Sequence, residues 1–156
     1  MSALTSSNNY FENFHVGQKI RHARGTTIGE VENQLLTKLV MNSADGHWNE
    51  AKMAKTAFGQ RLVFGFITAS MVMGLATQDT AENAVKETGL DRIRFKKPVF
   101  HGDTVNAFTE VLSKQDTENP TEGLIRFKHW GVNQHDEVVF EGERRVVLKR
   151  RPTIHP

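Results

Sequence analysis

Apolar and polar positions follow two different periods along this chain. In the first half they recur at helical spacing. Val31, Leu35, Leu36, Leu39 and Val40 recur at i, i+4, i+5, i+8 and i+9, which predicts a helix ending near Asn42. Thr27 stands ready to cap it, with Glu30 three residues on in a capping-box arrangement. Residues 49–57 (NEAKMAKTA) read as a short helix that Asn49 caps. From Gly65 to about Thr80 the residues are apolar almost all round the helix, so this segment is expected inside the protein. Its small residues Ala69, Ser70, Gly74 and Ala76 would let a sheet lie close, and Ser70 and Met73 read as core. Residues 16–26 read weakly as a strand.

The second half alternates with a period of two. DRIRFKK (91–97) sets Ile93 and Phe95 between charges, and residues 101–114 alternate less cleanly. Residues 123–134 and 137–150 are two long strands across a tight turn at His135-Asp136, a hairpin. One buried helix early and an antiparallel meander late make an α+β fold, a sheet wrapped around a central helix.

The length of 156 residues fits one domain. The division expected is a flexible N-terminus over 1–9, one domain over 10–151 and a tail over 152–156. With 38 % hydrophobic and 24 % charged residues there is material for a real core. There is no cysteine, which excludes disulfides, thiolate catalysis and cysteine-ligated metals. A net charge of +2 is too small to argue for nucleic acid, no recognition motif is visible, and the aromatics are not interleaved with basic stripes. The N-terminus lacks a signal-peptide layout, and the longest apolar run, around 62–76, falls short of the about 20 residues that span a bilayer. These features predict a cytoplasmic protein. The histidines outside the segment discussed next show no metal-ligand spacing, and no metal is expected.

Candidate chemistry concentrates in residues 41–65. His47-Trp48-Asn49, then Ala54-Lys55-Thr56-Ala57-Phe58-Gly59, then Arg61-Leu62-Val63-Phe64-Gly65 opens the apolar helix. Farther on stands Phe95-Lys96-Lys97-Pro98-Val99-Phe100-His101-Gly102-Asp103-Thr104-Val105. In order and spacing these blocks resemble the MaoC-like (R)-specific enoyl-CoA hydratases of the hotdog fold, over roughly residues 10–150. Met41-Asn42 ahead of His47, the run Gln78 to Ala84 and Val99-Phe100-His101-Gly102-Asp103-Thr104 look like the branch near itaconyl-CoA and mesaconyl-CoA hydratases. The resemblance implies six antiparallel strands around one long helix, homodimers or higher oligomers, an acyl-CoA thioester substrate, and no cofactor beyond the coenzyme A of that substrate. The family motif D-x-N-P-x-H reads N-S-A-D-G-H here, with Asn42 where the family has a catalytic aspartate.

Hydration of an enoyl thioester needs a group that deprotonates water, a proton for the α-carbon, and donors for the enolate-like thioester oxygen. Histidine as a residue type suits the first two tasks, which makes His47 the candidate base. Gly65 opens the helix, where backbone N–H groups lack intrahelical partners and glycine admits close approach; tight packing is its alternative role. Asn42 cannot be a base; its amide can hold the water or orient His47, or it can simply end the preceding helix. Asp45 is a second candidate for a share in the proton traffic. Trp48, Val63, Phe64, Phe66 and Met73 suggest a small apolar acyl pocket, Arg94, Lys96 and Lys97 a landing site for coenzyme A phosphates or a solvated face, and Arg61 a partner for a substrate carboxylate.

The leading function is thus reversible hydration of a short-chain trans-2-enoyl-CoA, branched or dicarboxylic acyl groups included. A non-catalytic acyl-CoA-binding protein is the alternative that Asn42 sustains. An acyl-CoA thioesterase is disfavoured, because residues 65–78 carry no carboxylate.

Overall fold

A computed structural model describes residues 9–152. The elements expected for 1–8 and 153–156, a flexible start and most of a tail, lie outside the described residues. Asn9, assigned to the flexible start, is 7 % exposed and its Nδ2 donates to the Gln78 carbonyl.

Five strands, β1 (Lys19–Thr27), β2 (Ala84–Phe95), β3 (Thr104–Asp116), β4 (Glu122–Val132) and β5 (Val138–Lys149), form one sheet in the order β1-β3-β4-β5-β2. Every neighbouring pair is antiparallel. Between β1 and β2 come α1 (Glu30–Leu39), two single-turn helices α2 (Asp45–Trp48) and α3 (Glu50–Met53), and the long α4 (Gly65–Ala81). The expected α+β layout, a sheet curved around one helix, is what the chain forms.

The alternation in β3 and β4 has a clear cause. Val105, Ala107, Thr109 and Val111 of β3 and Ile125, Phe127 and His129 of β4 face inward and are fully buried. α4 packs across β1, β3, β4 and β5. It comes closest at Gly131, where an added Cβ would lie 2.5 Å from Val72 Cγ2, so a side chain there would push the helix off the sheet. The core falls into two clusters, one around Val72 and Phe140, the other around Phe127 and Leu148.

Four expectations need correction. The apolar residues of α1 face out: Val31 is 77 % and Leu39 68 % exposed, whereas Asn33 and Thr37 are fully buried. The buried face of this helix is polar because it hydrogen-bonds the loop ahead of α4. Its cap is Gly29, whose N–H donates to Glu32 Oε2; Thr27 is still in β1, with its hydroxyl on that of Thr104. The sheet has five strands among the described residues, not six. The remaining pairing is one bridge, Leu62 to Phe100, with Val63 N–H on the Val99 carbonyl, and it stops beside Pro98, which has no N–H to donate. Finally, Ser70 is exposed and Met73 only half-buried, because Phe66, Ser70, Gly74 and Thr77 form a stripe of α4 that turns away from the sheet. The hairpin turn stands as expected: Asp136 is left-handed (φ 60°), and Asn133 Oδ1 accepts from the N–H groups of His135 and Glu137.

Candidate active site

The segment before α4 is tied down from both sides. Leu62 N–H donates to the Gly46 carbonyl and Val63 N–H to the Val99 carbonyl. Asn49 caps α3 by accepting from Lys52 N–H. Arg61, 8 % exposed, donates through Nε to Glu50 Oε2 (2.6 Å) and through Nη2 to Glu30. The guanidinium offered by the sequence for a substrate carboxylate is therefore already occupied by two carboxylates that hold α1 and α3 together.

His47 sits on α2 and opens onto a cavity of about 470 Å³ at the start of α4. Its Nδ1 lies 2.9 Å from the Leu62 carbonyl oxygen. A carbonyl only accepts, so Nδ1 carries the proton and, in the neutral ring, Nε2 keeps a free lone pair. No hydrogen bond is made by Nε2 among the described residues. The ring packs against Phe64 at a centroid distance of 5.3 Å.

Gly65 is the first residue of α4 and lines the same cavity. Phe64 N–H is taken by Asn33 Oδ1 and Ile67 N–H by the Phe64 carbonyl, while the Gly65 and Phe66 N–H groups have no acceptor among the described residues. A Cβ at Gly65 would lie 2.8 Å from Phe95 Cε1. Glycine is thus required here for packing, and the same packing sets an aromatic wall beside the free N–H groups. Phe58, Leu62, Val99 and Val139 complete a largely apolar lining, within the about 300–1,000 Å³ usual for small-molecule sites. Thr68, 2 % exposed, also lines it, and its hydroxyl has no partner among the described residues.

The structure brings together His47, Gly65, Val63, Phe64 and Phe66, with Lys96 and Lys97 at the rim. It does not bring Asn42, Trp48 or Arg94 into that lining. Asn42 Oδ1 accepts from Ala44 N–H, closing a local turn. Trp48 lies under Lys38 Nζ, 5.9 Å from the ring centroid. Arg94 is on the outer face of the sheet, 3.7 Å from Glu141 Oε1. Lys96 lies 4.0 Å from that same carboxylate oxygen and Lys97 3.5 Å from Glu137 Oε1. Asp45 is bound to Lys52, whose ammonium holds its carboxyl below the usual range. The Val99 to Thr104 motif is structural: Asp103 Oδ2 accepts from Phe100 N–H, and Ile28 exchanges backbone bonds with Asp103 and Gly102.

Two polar residues of this region escape a reading by pattern. Asn33 sits on a helix whose apolar residues mislead. His101, whose Nε2 accepts from Asn33 Nδ2 (2.9 Å), is pushed below its ordinary pKa by burial and the Arg61 guanidinium. The described residues hold no cluster of three or more His, Cys, Asp or Glu that could bind a metal. None of their helices is long and apolar enough to cross a membrane.

The family model of mesaconyl-CoA hydratase matches residues 19–150. The beta-methylmalyl-CoA dehydratase of Chloroflexus aurantiacus is 32 % identical over 97 % of this chain and 43 % of its own length. The solved structure of a putative MaoC domain protein dehydratase from Chloroflexus aurantiacus superposes with a TM-score of 0.87, at 30 % identity, over 99 % of this chain and 44 % of that one. A Mycobacterium tuberculosis protein described as having a double hotdog fold shares the fold at a TM-score of 0.83 and 20 % identity, over 94 % of this chain and 46 % of that one. This chain spans less than half the length of these relatives. It belongs to the mesaconyl-CoA hydratase family of MaoC-like hotdog proteins.

Proposed function

We propose that the protein reversibly hydrates a short-chain trans-2-enoyl-CoA, branched or dicarboxylic acyl groups included. One observation carries this reading: His47, with Nδ1–H fixed on the Leu62 carbonyl, shares a cavity with the unpaired N–H groups at the start of α4. In the forward direction Nε2 takes a proton from water as the water oxygen bonds to the β-carbon. The π electrons move through the α-carbon to the thioester oxygen, whose charge rests on the Gly65 N–H and the positive end of the α4 dipole. Nε2–H then returns its proton to the α-carbon and the thioester carbonyl re-forms. No cofactor enters; the coenzyme A belongs to the substrate.

In this reading Phe64 and Phe66 flank the acyl group and Lys96 and Lys97 meet the phosphates of coenzyme A. Arg94, on the outer face, contributes only to the wider positive field, and Trp48 only to the loop that carries His47. Asn42 acts by shaping that loop through its bond to Ala44. We also propose a homodimer: β2 is an edge strand with Val85 and Leu90 44 % and 46 % exposed, and the apolar face of α1 is uncovered. A coenzyme A thioester substrate supports a cytoplasmic location.

The test is loss of enoyl-thioester absorbance with crotonyl-CoA, longer linear enoyl-CoAs, mesaconyl-CoA and itaconyl-CoA, with free thiol followed in parallel. Hydration without thiol release is expected. Thiol release would favour a thioesterase. Binding with neither reaction would leave an acyl-CoA-binding protein, the reading that Asn42 in place of an aspartate favours.

A further inference from the structure

Asn33 is fully buried and uses every hydrogen-bonding position of its amide. Oδ1 accepts from Phe64 N–H (2.9 Å) and the Thr37 hydroxyl (3.3 Å); Nδ2 donates to the Leu62 carbonyl (3.4 Å) and to His101 Nε2 (2.9 Å). The amide cannot be turned end for end, because Phe64 N–H only donates and the Leu62 carbonyl only accepts. Its two arms therefore bracket Val63, one on the residue before and one on the residue after.

Both bracketed groups belong to the site. The Leu62 carbonyl is the acceptor that fixes His47 Nδ1–H. Phe64 N–H is the last backbone donor ahead of the two left open on α4. Leu62 N–H in turn holds the Gly46 carbonyl, the residue before His47. Burying Asn33 and Thr37 while Val31, Leu35 and Leu39 face out reverses the usual order of a surface helix. Core formation alone does not account for that reversal; a polar clamp on residues 62–64 does.

We propose that Asn33 is the positioning residue of this site: it sets the Leu62 carbonyl that selects the His47 tautomer and the strand end that presents the α4 N–H groups. The proposal rests on His47 being the proton-moving group. An aspartate in its place would keep the shape and the acceptor toward Phe64 but turn an oxygen toward the Leu62 carbonyl.

Asn33→Asp is the test, read by side-chain ¹⁵N–¹H correlation spectra of the histidines, with His47→Ala used for assignment, and by steady-state kinetics. In the wild type, His47 is expected as the Nδ1–H tautomer. In Asn33→Asp that tautomer gives way to a mixture, kcat falls about 30-fold and KM stays within about threefold, as for a misplaced rather than a missing group. A folded Asn33→Asp with the wild-type tautomer and kcat overturns the proposal. Should that variant fail to fold, Thr37→Val removes only the hydroxyl on Oδ1; a smaller change in the same direction supports the clamp, and a wild-type spectrum and kcat overturn it. If the wild type hydrates no enoyl thioester, the proposed reaction fails, and the tautomer spectra alone decide the positioning role.

Discussion

The two ends of α4 each hold a histidine centre, and they are built for opposite purposes. At the N-terminal end His47 fixes one ring nitrogen on a carbonyl and leaves the other open to a cavity. At the C-terminal end, 14 residues and about 21 Å further along the helix, His22 has both nitrogens occupied. Nδ1 meets Asp79 Oδ2 at 2.6 Å and Nε2 the Thr109 hydroxyl at 2.7 Å. That hydroxyl also lies 2.7 Å from Nδ1 of His129. With Nδ1–H of His22 on the carboxylate, the chain has one direction in its neutral form: His129 Nδ1–H donates to Thr109, and Thr109 donates to His22 Nε2. His22 and His129 are 2 % and 0 % exposed, so no substrate reaches them. Proton transfer needs one anchored and one free nitrogen beside a cavity. In the buried link His22 has both nitrogens satisfied and no access, while His129 bonds through Nδ1 and its Nε2 has no partner among the described residues.

His22→Ala should sharpen this contrast most. Breaking the buried chain is expected to cost roughly 3 kcal/mol of stability, read by denaturant unfolding, with kcat per folded molecule unchanged. A large loss of kcat at full stability would assign chemistry to the wrong end of the helix.

Gly65→Ala comes next. Its Cβ would collide with Phe95, and activity should fall by about 10- to 100-fold as the thioester is kept from the α4 N–H groups. Adding Phe95→Leu separates the two roles of the glycine. Stability should return while activity stays low; recovery of both would leave Gly65 a packing residue only.

The buried end also predicts acid sensitivity. Burial, with help from Arg144 and His22, lowers the pKa of His129 from 6.5 to about 3. Below pH 6.5 the unfolded chain takes up a proton that the folded one refuses, so stability is full above that pH and falls by roughly 1 kcal/mol per pH unit as pH drops toward 3. Urea unfolding from pH 7 to pH 4 checks the slope, which His129→Gln should flatten.

The smallest effect is expected at the rim. Lys96→Ala and Lys97→Ala should each raise KM about threefold, less at high salt, with kcat unchanged, since both lysines are half-exposed and weakly paired. A salt-independent loss of kcat would instead place them at the acyl group.

How much of this was legible in the sequence differs between the same two regions. The buried helix, its opening glycine and the late hairpin follow from period, because the faces they bury are mostly apolar. The His47 segment is legible through motif order, since residues 46, 47 and 62 are joined by backbone geometry that the spacing preserves. Polar interior positions are not legible that way. Asn33 and Thr37 hide behind the more conspicuous apolar residues of α1, and His22, Thr109 and His129 come from three strands that only folding brings together. Residues 84–90 of β2 lack alternation, because only Ala84 and Gly89 among them are even half-buried. The cavity walls Phe58, Phe95 and Val139 meet from distant segments. Motif register points Asn42 to the site, but its side chain answers to its own local turn.

The most direct test is the rate of mesaconyl-CoA and crotonyl-CoA hydration by wild type and His47→Ala, with thermal unfolding of both. The account predicts at least about a 100-fold loss of rate with an unchanged melting temperature and intact thioester binding. A variant that hydrates either substrate at the wild-type rate would contradict it.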